Sequence, residues 1–157
     1  MIRKLRNKDL DEVMQIWKNE NIKTHNFISK TYWENNYEYV RKILPNSEIY
    51  VYTNEDKIKG FIGINNNYIE GIFVKQSSQN KGIGTALLNT AKGQKEKLLL
   101  AVYQKNKTAI KFYQKNGFII IKENIDKETN EREYIMLWEI NNGRKNEISN
   151  KKFKEKF

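Results

Sequence analysis

Two short stretches gather residue types that can do chemistry. Gln79-Asn80-Lys81-Gly82-Ile83-Gly84-Thr85 sets two glycines one residue apart, where a strand-like run gives way to a helix-like one. Glycines there let the backbone approach a ligand closely, and the N–H groups at a helix start form an anion site. A dinucleotide fingerprint needs a third glycine where Leu87 stands, and no Gly-Lys-Ser/Thr follows to make a Walker loop. A pyrophosphate cradle of another type remains, set against the plainer reading of a tight turn. The second stretch, NKTAIKFYQKNGF, runs from Asn106 to Phe118. Asn106 can open a helix, Ala109 and Phe112 face inward, and Tyr113 follows Asn106 by two turns before Gly117 closes the helix. The chain has no Cys and one His, His25, which excludes disulfides, thiolate metal sites and a cysteine nucleophile.

The elements that must hold these stretches follow from hydrophobic periodicity. A strand over Ile2 to Leu5 leads to a helix near Asp9 to Asn19, with Leu10, Val13, Met14 and Trp17 as one apolar stripe. Asn7 can cap it. A loop, NIKTHNFIS, precedes a second helix with a Thr31-x-x-Glu34 capping box, an apolar stripe of Trp33, Tyr37, Val40 and Leu44, and Pro45 at its end. The period then becomes two: EIYVYT, IKGFIGI and YIEGIFV read as an antiparallel meander. Strict alternation in the third puts Tyr68, Glu70, Ile72 and Val74 on one face and Ile69, Gly71 and Phe73 on the other. A helix with Ile83, Leu87 and Ala91 inward follows the glycine loop. LLLAVY reads as a strand buried on both faces, and FIIIKENI and REYIMLWEI form a hairpin around DKETNE. The order β-α-α-β-β-β-α-β-α-β-β implies an α+β fold with a mixed sheet of about seven strands and helices on both sides.

The 157 residues suit one domain over residues 1–140, followed by a basic polar tail over residues 141–157. No apolar stretch is long enough to span a bilayer and the first residues lack a signal-peptide core, so a soluble, cytoplasmic protein with no membrane partner is expected. The net charge of +10 invites a nucleic-acid partner. Against that, 24 Lys stand with 5 Arg, and 21 Asn and 20 Ile suggest the bias of an AT-rich genome. The lysines are scattered among 19 acids, so the expectation is no nucleic acid and an anionic small ligand instead.

Taken together, the two stretches resemble the motifs of the GNAT superfamily of acetyl-CoA-dependent N-acetyltransferases. Q-x-x-G-x-G after a strand ending Ile72-Phe73-Val74 resembles the family's CoA pyrophosphate motif, and N-x-x-A-x-x-F-Y-x-x-x-G-F resembles its second. The resemblance covers residues 1–140 and is strongest to small stand-alone bacterial members, which often carry a THxF-type segment, here Thr24-His25-Asn26-Phe27. It implies a GNAT-like, mostly antiparallel sheet and an acyltransferase that moves acetyl from acetyl-CoA to a primary amine. By the same resemblance, the backbone of Ile72, Phe73 and Val74 pairs the pantetheine arm, and an N–H of Val74 or Phe73 holds the thioester oxygen. Gln79, Asn80, Lys81, Gly82, Ile83, Gly84 and Thr85 form the pyrophosphate loop, Asn106 bonds the cofactor, and Tyr113 faces the sulfur as proton donor to the leaving thiolate.

An acceptor amine must lose a proton before it attacks, so a base is expected near the cleft. Glu70, an acid among apolar neighbours, and His25, in the loop over the acceptor side, are the two candidates. The strand after Glu70 carries Ala101 where some relatives place a carboxylate. Tyr32, Trp33 and Glu34 can line the acceptor pocket, and Glu34, Glu38 and Glu70 would suit a cationic acceptor. Lys107, Lys111 and Lys115 recur along one helix face, where solvation is the plainer reading and a contact with CoA phosphates the other. Direct transfer in a ternary complex without a metal is expected. The acceptor stays open between a protein N-terminus, a lysine and a small-molecule amine, and the assembly between monomer and homodimer. A non-catalytic CoA sensor is the alternative, with a basic nucleic-acid-binding module behind it.

Overall fold

The computed structural model describes residues 1–140, and the tail expected over residues 141–157 lies outside the described residues. Seven strands form one sheet: β1 (Ile2–Lys4), β2 (Glu48–Asn54), β3 (Lys57–Asn65), β4 (Tyr68–Val74), β5 (Lys97–Tyr103), β6 (Ile119–Ile125) and β7 (Arg132–Glu139). Their order is β1-β2-β3-β4-β5-β7-β6, antiparallel throughout except for the parallel pair β4/β5. Four helices accompany them: α1 (Leu10–Thr24), α2 (Lys30–Ile43), α3 (Ile83–Lys92) and α4 (Lys107–Lys115).

Alternation along the strands splits the core in two. Ile49, Val51, Ile58 and Phe61 pack with Val13, Met14 and Trp17 of α1 and Trp33 and Val40 of α2. On the opposite face Ile62, Ile64, Leu98, Leu100 and Met136 pack with Ile83, Leu87 and Ala91 of α3 and Tyr113 of α4. LLLAVY is buried on both faces, Leu98, Leu100 and Val102 against α3 and α4 and Leu99 in a smaller cluster with Tyr68, Ile135 and Leu137.

Local expectations need four corrections. The first helix runs five residues further than its expected end at Asn19, because Glu20 and Asn21 are also buried and hold the extra turn against the site. Asn7 does not cap α1. It opens a short 3-10 turn, and Asp9 holds the junction by accepting from the Arg6 N–H at 2.7 Å and from Arg3 at 2.6 and 3.0 Å. The cap of α2 is Ser29, whose hydroxyl accepts from the Thr31 N–H at 3.3 Å, so the Thr31–Glu34 box is two residues late.

The fourth correction sits in β4. Gly63 faces Gly71 and Ile64 faces Ile69, which leaves Glu70 as an extra residue, a β-bulge. The alternation resets there, so Ile69 shares the α3 face with Ile72 and Val74 instead of opposing them. The bulge re-aims Glu70 out of the regular pleat.

Candidate active site

β4 and β5 are joined at a single register point, Tyr68 opposite Leu99, with the Leu99 N–H donating to Asn67 O at 2.8 Å. Beyond it they part, whereas β5 and β7 stay paired over seven residues. The wedge widens into a cavity of about 970 Å³ that reaches both faces of the sheet. Ile72, Phe73 and Val74 line it from β4, with β3 paired on their other edge. Gly71 is required where it stands, since a Cβ there would lie 2.4 Å from the Phe73 ring, which stacks on Phe61 at 5.0 Å.

At the mouth of the wedge the chain turns into α3. Asn80 (φ 63°) and Gly82 (φ 81°) adopt left-handed backbone, and Gly82 is the N-cap of the ten-residue helix. A Cβ on Gly82 would meet nothing within 4 Å, so that side of the loop is open to a ligand. Lys81 is exposed, and Ile83 is buried in the core, so its contribution to a ligand is its N–H. The first-turn N–H groups of Ile83, Gly84 and Thr85 have no carbonyl behind them in the helix and carry its positive end. Gly84 is held close to α4, where a Cβ would come 3.3 Å from Phe112. Gln79 closes the mouth from the side, its Nε2 donating to Val74 O at 2.9 Å and to Glu20 Oε1 at 3.0 Å.

Asn106 and Tyr113 stand across the wedge on α4, both lining the cavity. Asn106 Oδ1 caps the helix by accepting from the Ala109 N–H at 3.2 Å, which turns Nδ2 toward His25 Nε2 at 3.4 Å. That amide can only donate, so Nε2 accepts and the proton of the ring lies on Nδ1, 3.0 Å from Asn21 Oδ1. His25 also stacks on Trp33 at 5.4 Å and meets the edge of Tyr103 at 5.1 Å. The imidazole is therefore a bridge between the end of α1 and the start of α4. Tyr113 is buried among apolar groups, which pushes its phenol well above the ordinary tyrosine range and keeps it protonated.

Glu70, 8% exposed, lies on the far face of the wedge with Tyr68, and both line the cavity with Ala101. Tyr32 and Trp33 line the cavity as expected, but Glu34 and Glu38 point to solvent from α2 and are not part of its wall. Sequence reasoning missed Glu20, Tyr68, Tyr103, Asp126 and Glu133, all in the lining. Glu133 did leave a trace, sharing the β7 face of Ile135 and Leu137 at the head of an apolar run. Tyr103 donates to Asp126 at 2.6 Å and Tyr32 to Glu128 at 2.7 Å, which ties the β6–β7 turn to β5 and α2. Among the described residues no group of His, Asp and Glu could hold a metal ion.

A splayed parallel pair, a glycine-capped helix at its mouth and a buried tyrosine across it are features of an acyl-CoA transferase. Residues 45–120 match the model of the acetyltransferase (GNAT) domain. The chain is 32% identical over 142 residues to the peptidyl-lysine N-acetyltransferase YiaC of Escherichia coli, covering 89% of this chain and 97% of that one. It is 30% identical over 118 residues to the peptidyl-lysine N-acetyltransferase YjaB of Escherichia coli, covering 74% of this chain and 80% of the other. The solution structure of apo YjaB superposes with a TM-score of 0.79 at 26% identity, over 88% of this chain and 96% of that one. The chain belongs to the GNAT family of N-acetyltransferases. As members of that family do, it moves an acetyl group from acetyl-CoA to a primary amine.

Proposed function

We propose that this chain acetylates lysine side chains of proteins, by direct attack of the amine on acetyl-CoA bound in the β4/β5 wedge. The observation that carries the reading is the wedge itself, which leaves the β5-facing edge of Ile72, Phe73 and Val74 open between the α3 N-terminus and Tyr113. The lysine acceptor rests on the two peptidyl-lysine N-acetyltransferases to which the chain is 32% and 30% identical. In this reading the loop Gln79 to Thr85 binds the pyrophosphate through its N–H groups, with Gln79 leaving Val74 O as the pantetheine arm arrives. Asn106 meets the cofactor through the amide that His25 orients. The amine nitrogen bonds to the thioester carbon, the N–H of Val74 or Phe73 stabilises the oxyanion, and the C–S bond breaks. Glu70, by water, takes the proton that the acceptor ammonium loses before attack, and Tyr113 gives its proton to the departing thiolate and regains one from the nitrogen of the new amide, so that amide and free CoA thiol leave. His25, engaged at both nitrogens, acts as the positioning residue and not as the base. The chain works in the cytoplasm and needs no metal.

The test is incubation of the protein with acetyl-CoA, lysine peptides with blocked N-termini, peptides with free N-termini and polyamines, followed by mass spectrometry of the products. Acetylation of the lysine ε-amine is expected. Transfer only to α-amines or polyamines would replace the acceptor, and acetyl-CoA binding with no transfer to any amine would make the chain a CoA sensor.

A further inference from the structure

On the sheet face away from α3 and α4, the wedge is floored by Tyr68 of β4, Ala101 of β5 and Ile135 and Glu133 of β7. Register sets these side by side: Ala101 pairs with Ile135 and Tyr103 with Glu133. Paired residues across a ladder stand about 5 Å apart, so Glu133 is a diagonal neighbour of Ala101. A methyl at position 101 leaves room that a longer side chain would fill. Glu133 is 4% exposed, and Asn124 Nδ2 donates to its Oε1 at 3.3 Å. Glu70 approaches from the other side through its bulge. Glu70, Tyr68 and Glu133 all line the same cavity, and burial, with the negative charge of Glu70 and then Glu133, pushes the Tyr68 phenol well up.

The described lining of the cavity is acidic, in a protein that is basic. Among the described residues its lining holds Glu20, Glu70, Asp126, Glu128 and Glu133 against Lys122 and Lys127, in a chain of net charge +10. A separate sign of a polar guest is Asn21, 2% exposed in the same wall, whose Nδ2 has no hydrogen-bond partner among the described residues.

We propose that Glu133 is a specificity-determining residue of the transfer reaction, holding with Glu70 the ammonium form of the incoming amine over Ala101. The proposal rests on the acetyltransferase reading and adds to it the selection of a cationic acceptor. Two buried carboxylates on strands that flank the short Ala101 side chain are matched by a single compact cation, which fits an alkylammonium better than an uncharged amine. Asn124 fixes the direction of the Glu133 carboxylate, and Glu70 then receives the proton.

Steady-state transfer from acetyl-CoA is measured for the parent and for Glu133→Gln with two nucleophiles. One is a lysine peptide with a blocked N-terminus, and the other is hydroxylamine, which is uncharged near neutral pH. Glutamine keeps the size of the side chain and an oxygen for Asn124 but removes the charge. A rise of roughly tenfold or more in KM for the peptide is expected, with an equal fall in the kcat/KM ratio of peptide over hydroxylamine. Glu133→Asp, which keeps the charge, should fall between the two, and acetyl-CoA should still raise the melting temperature of each variant. An unchanged peptide KM, or a loss of kcat shared equally by both nucleophiles, overturns the assignment. A parent enzyme that acetylates hydroxylamine but no cationic amine overturns it as well and leaves the acetyltransferase reading standing. Transfer to no nucleophile at all rejects that reading and the inference together.

Discussion

At the scale of single residues, Tyr113 carries the sharpest expectation. Tyr113→Phe removes one hydroxyl and keeps the ring between Phe112 and Phe118, whose centroids lie 5.3 and 5.6 Å away. Loss of a positioned general acid costs about 10²–10⁴-fold, and the low end is expected because a thiolate is a tolerable leaving group. The loss belongs in kcat, measured with a good acceptor, while acetyl-CoA binding by calorimetry stays near parental. Parental kcat in the Phe variant, with chemistry rate-limiting, would remove the hydroxyl from the mechanism. The direction of the phenol's pKa adds a second test. Burial raises it, so its neutral, donating form persists through pH 10, and kcat should show no alkaline limb between pH 7 and 10 that disappears in Tyr113→Phe.

At the scale of elements, two junctions can be probed separately. Gly82 holds φ 81°, and its missing Cβ faces open space, so Gly82→Ala adds backbone strain without a clash. A cost of about 1–2 kcal/mol is expected in urea unfolding. The larger effect should be on acetyl-CoA affinity, because the loop relaxes away from the conformation that aims its N–H groups. Unchanged affinity in a folded variant would take the loop out of the pyrophosphate site. The other junction joins β1 to α1 through Asp9, 5% exposed and bonded to Arg3 and the Arg6 N–H. Asp9→Asn leaves the guanidinium without its anion and should cost about 1–3 kcal/mol at neutral pH. Hydrogen bonding by Arg3 depresses the Asp9 pKa, so this stabilisation is fully present above the usual carboxylate range. It is lost as pH falls through the lower native value, and the two melting curves should converge in acid. A gap that persists at low pH would assign the loss to packing.

At the scale of the whole molecule, the wedge is a gap in an otherwise continuous sheet, and a ligand that fills it should bind only the folded chain. At a hundredfold excess over its Kd, acetyl-CoA should add about 2.7 kcal/mol of stability. For a chain of this size that corresponds to a rise of roughly 5–10 °C in melting temperature. No rise at millimolar acetyl-CoA would count against the site as a whole. The β6–β7 turn is tied down by Tyr32 and Tyr103 away from the α3 mouth of the wedge, so acetyl-CoA binding should leave those contacts in place.

Much of this was legible in one dimension. The seven strands and four α-helices of the described residues follow from their apolar patterns, alternating where a strand has one face on a helix layer, as in β2 and β3, and continuous in the twice-buried β5. The cradle and α4 follow from glycine and asparagine spacing, since local backbone demands those types. Three things were not legible. The bulge at Glu70 is a property of the pairing of β4 with β3, where Gly63 faces Gly71 and Ile64 faces Ile69, two strands whose register no local spacing sets. The two-sided engagement of His25 depends on α1 ending where α4 begins, 81 residues later in the chain. Glu133 reads as an ordinary residue at the head of an apolar strand, and only the register of β5 on β7 brings it beside Ala101 and the open wedge. Sequence by itself determined the elements and the loop that local chemistry requires. Tertiary structure decided which carboxylates meet, because strand register is set by long-range pairing that no local spacing records.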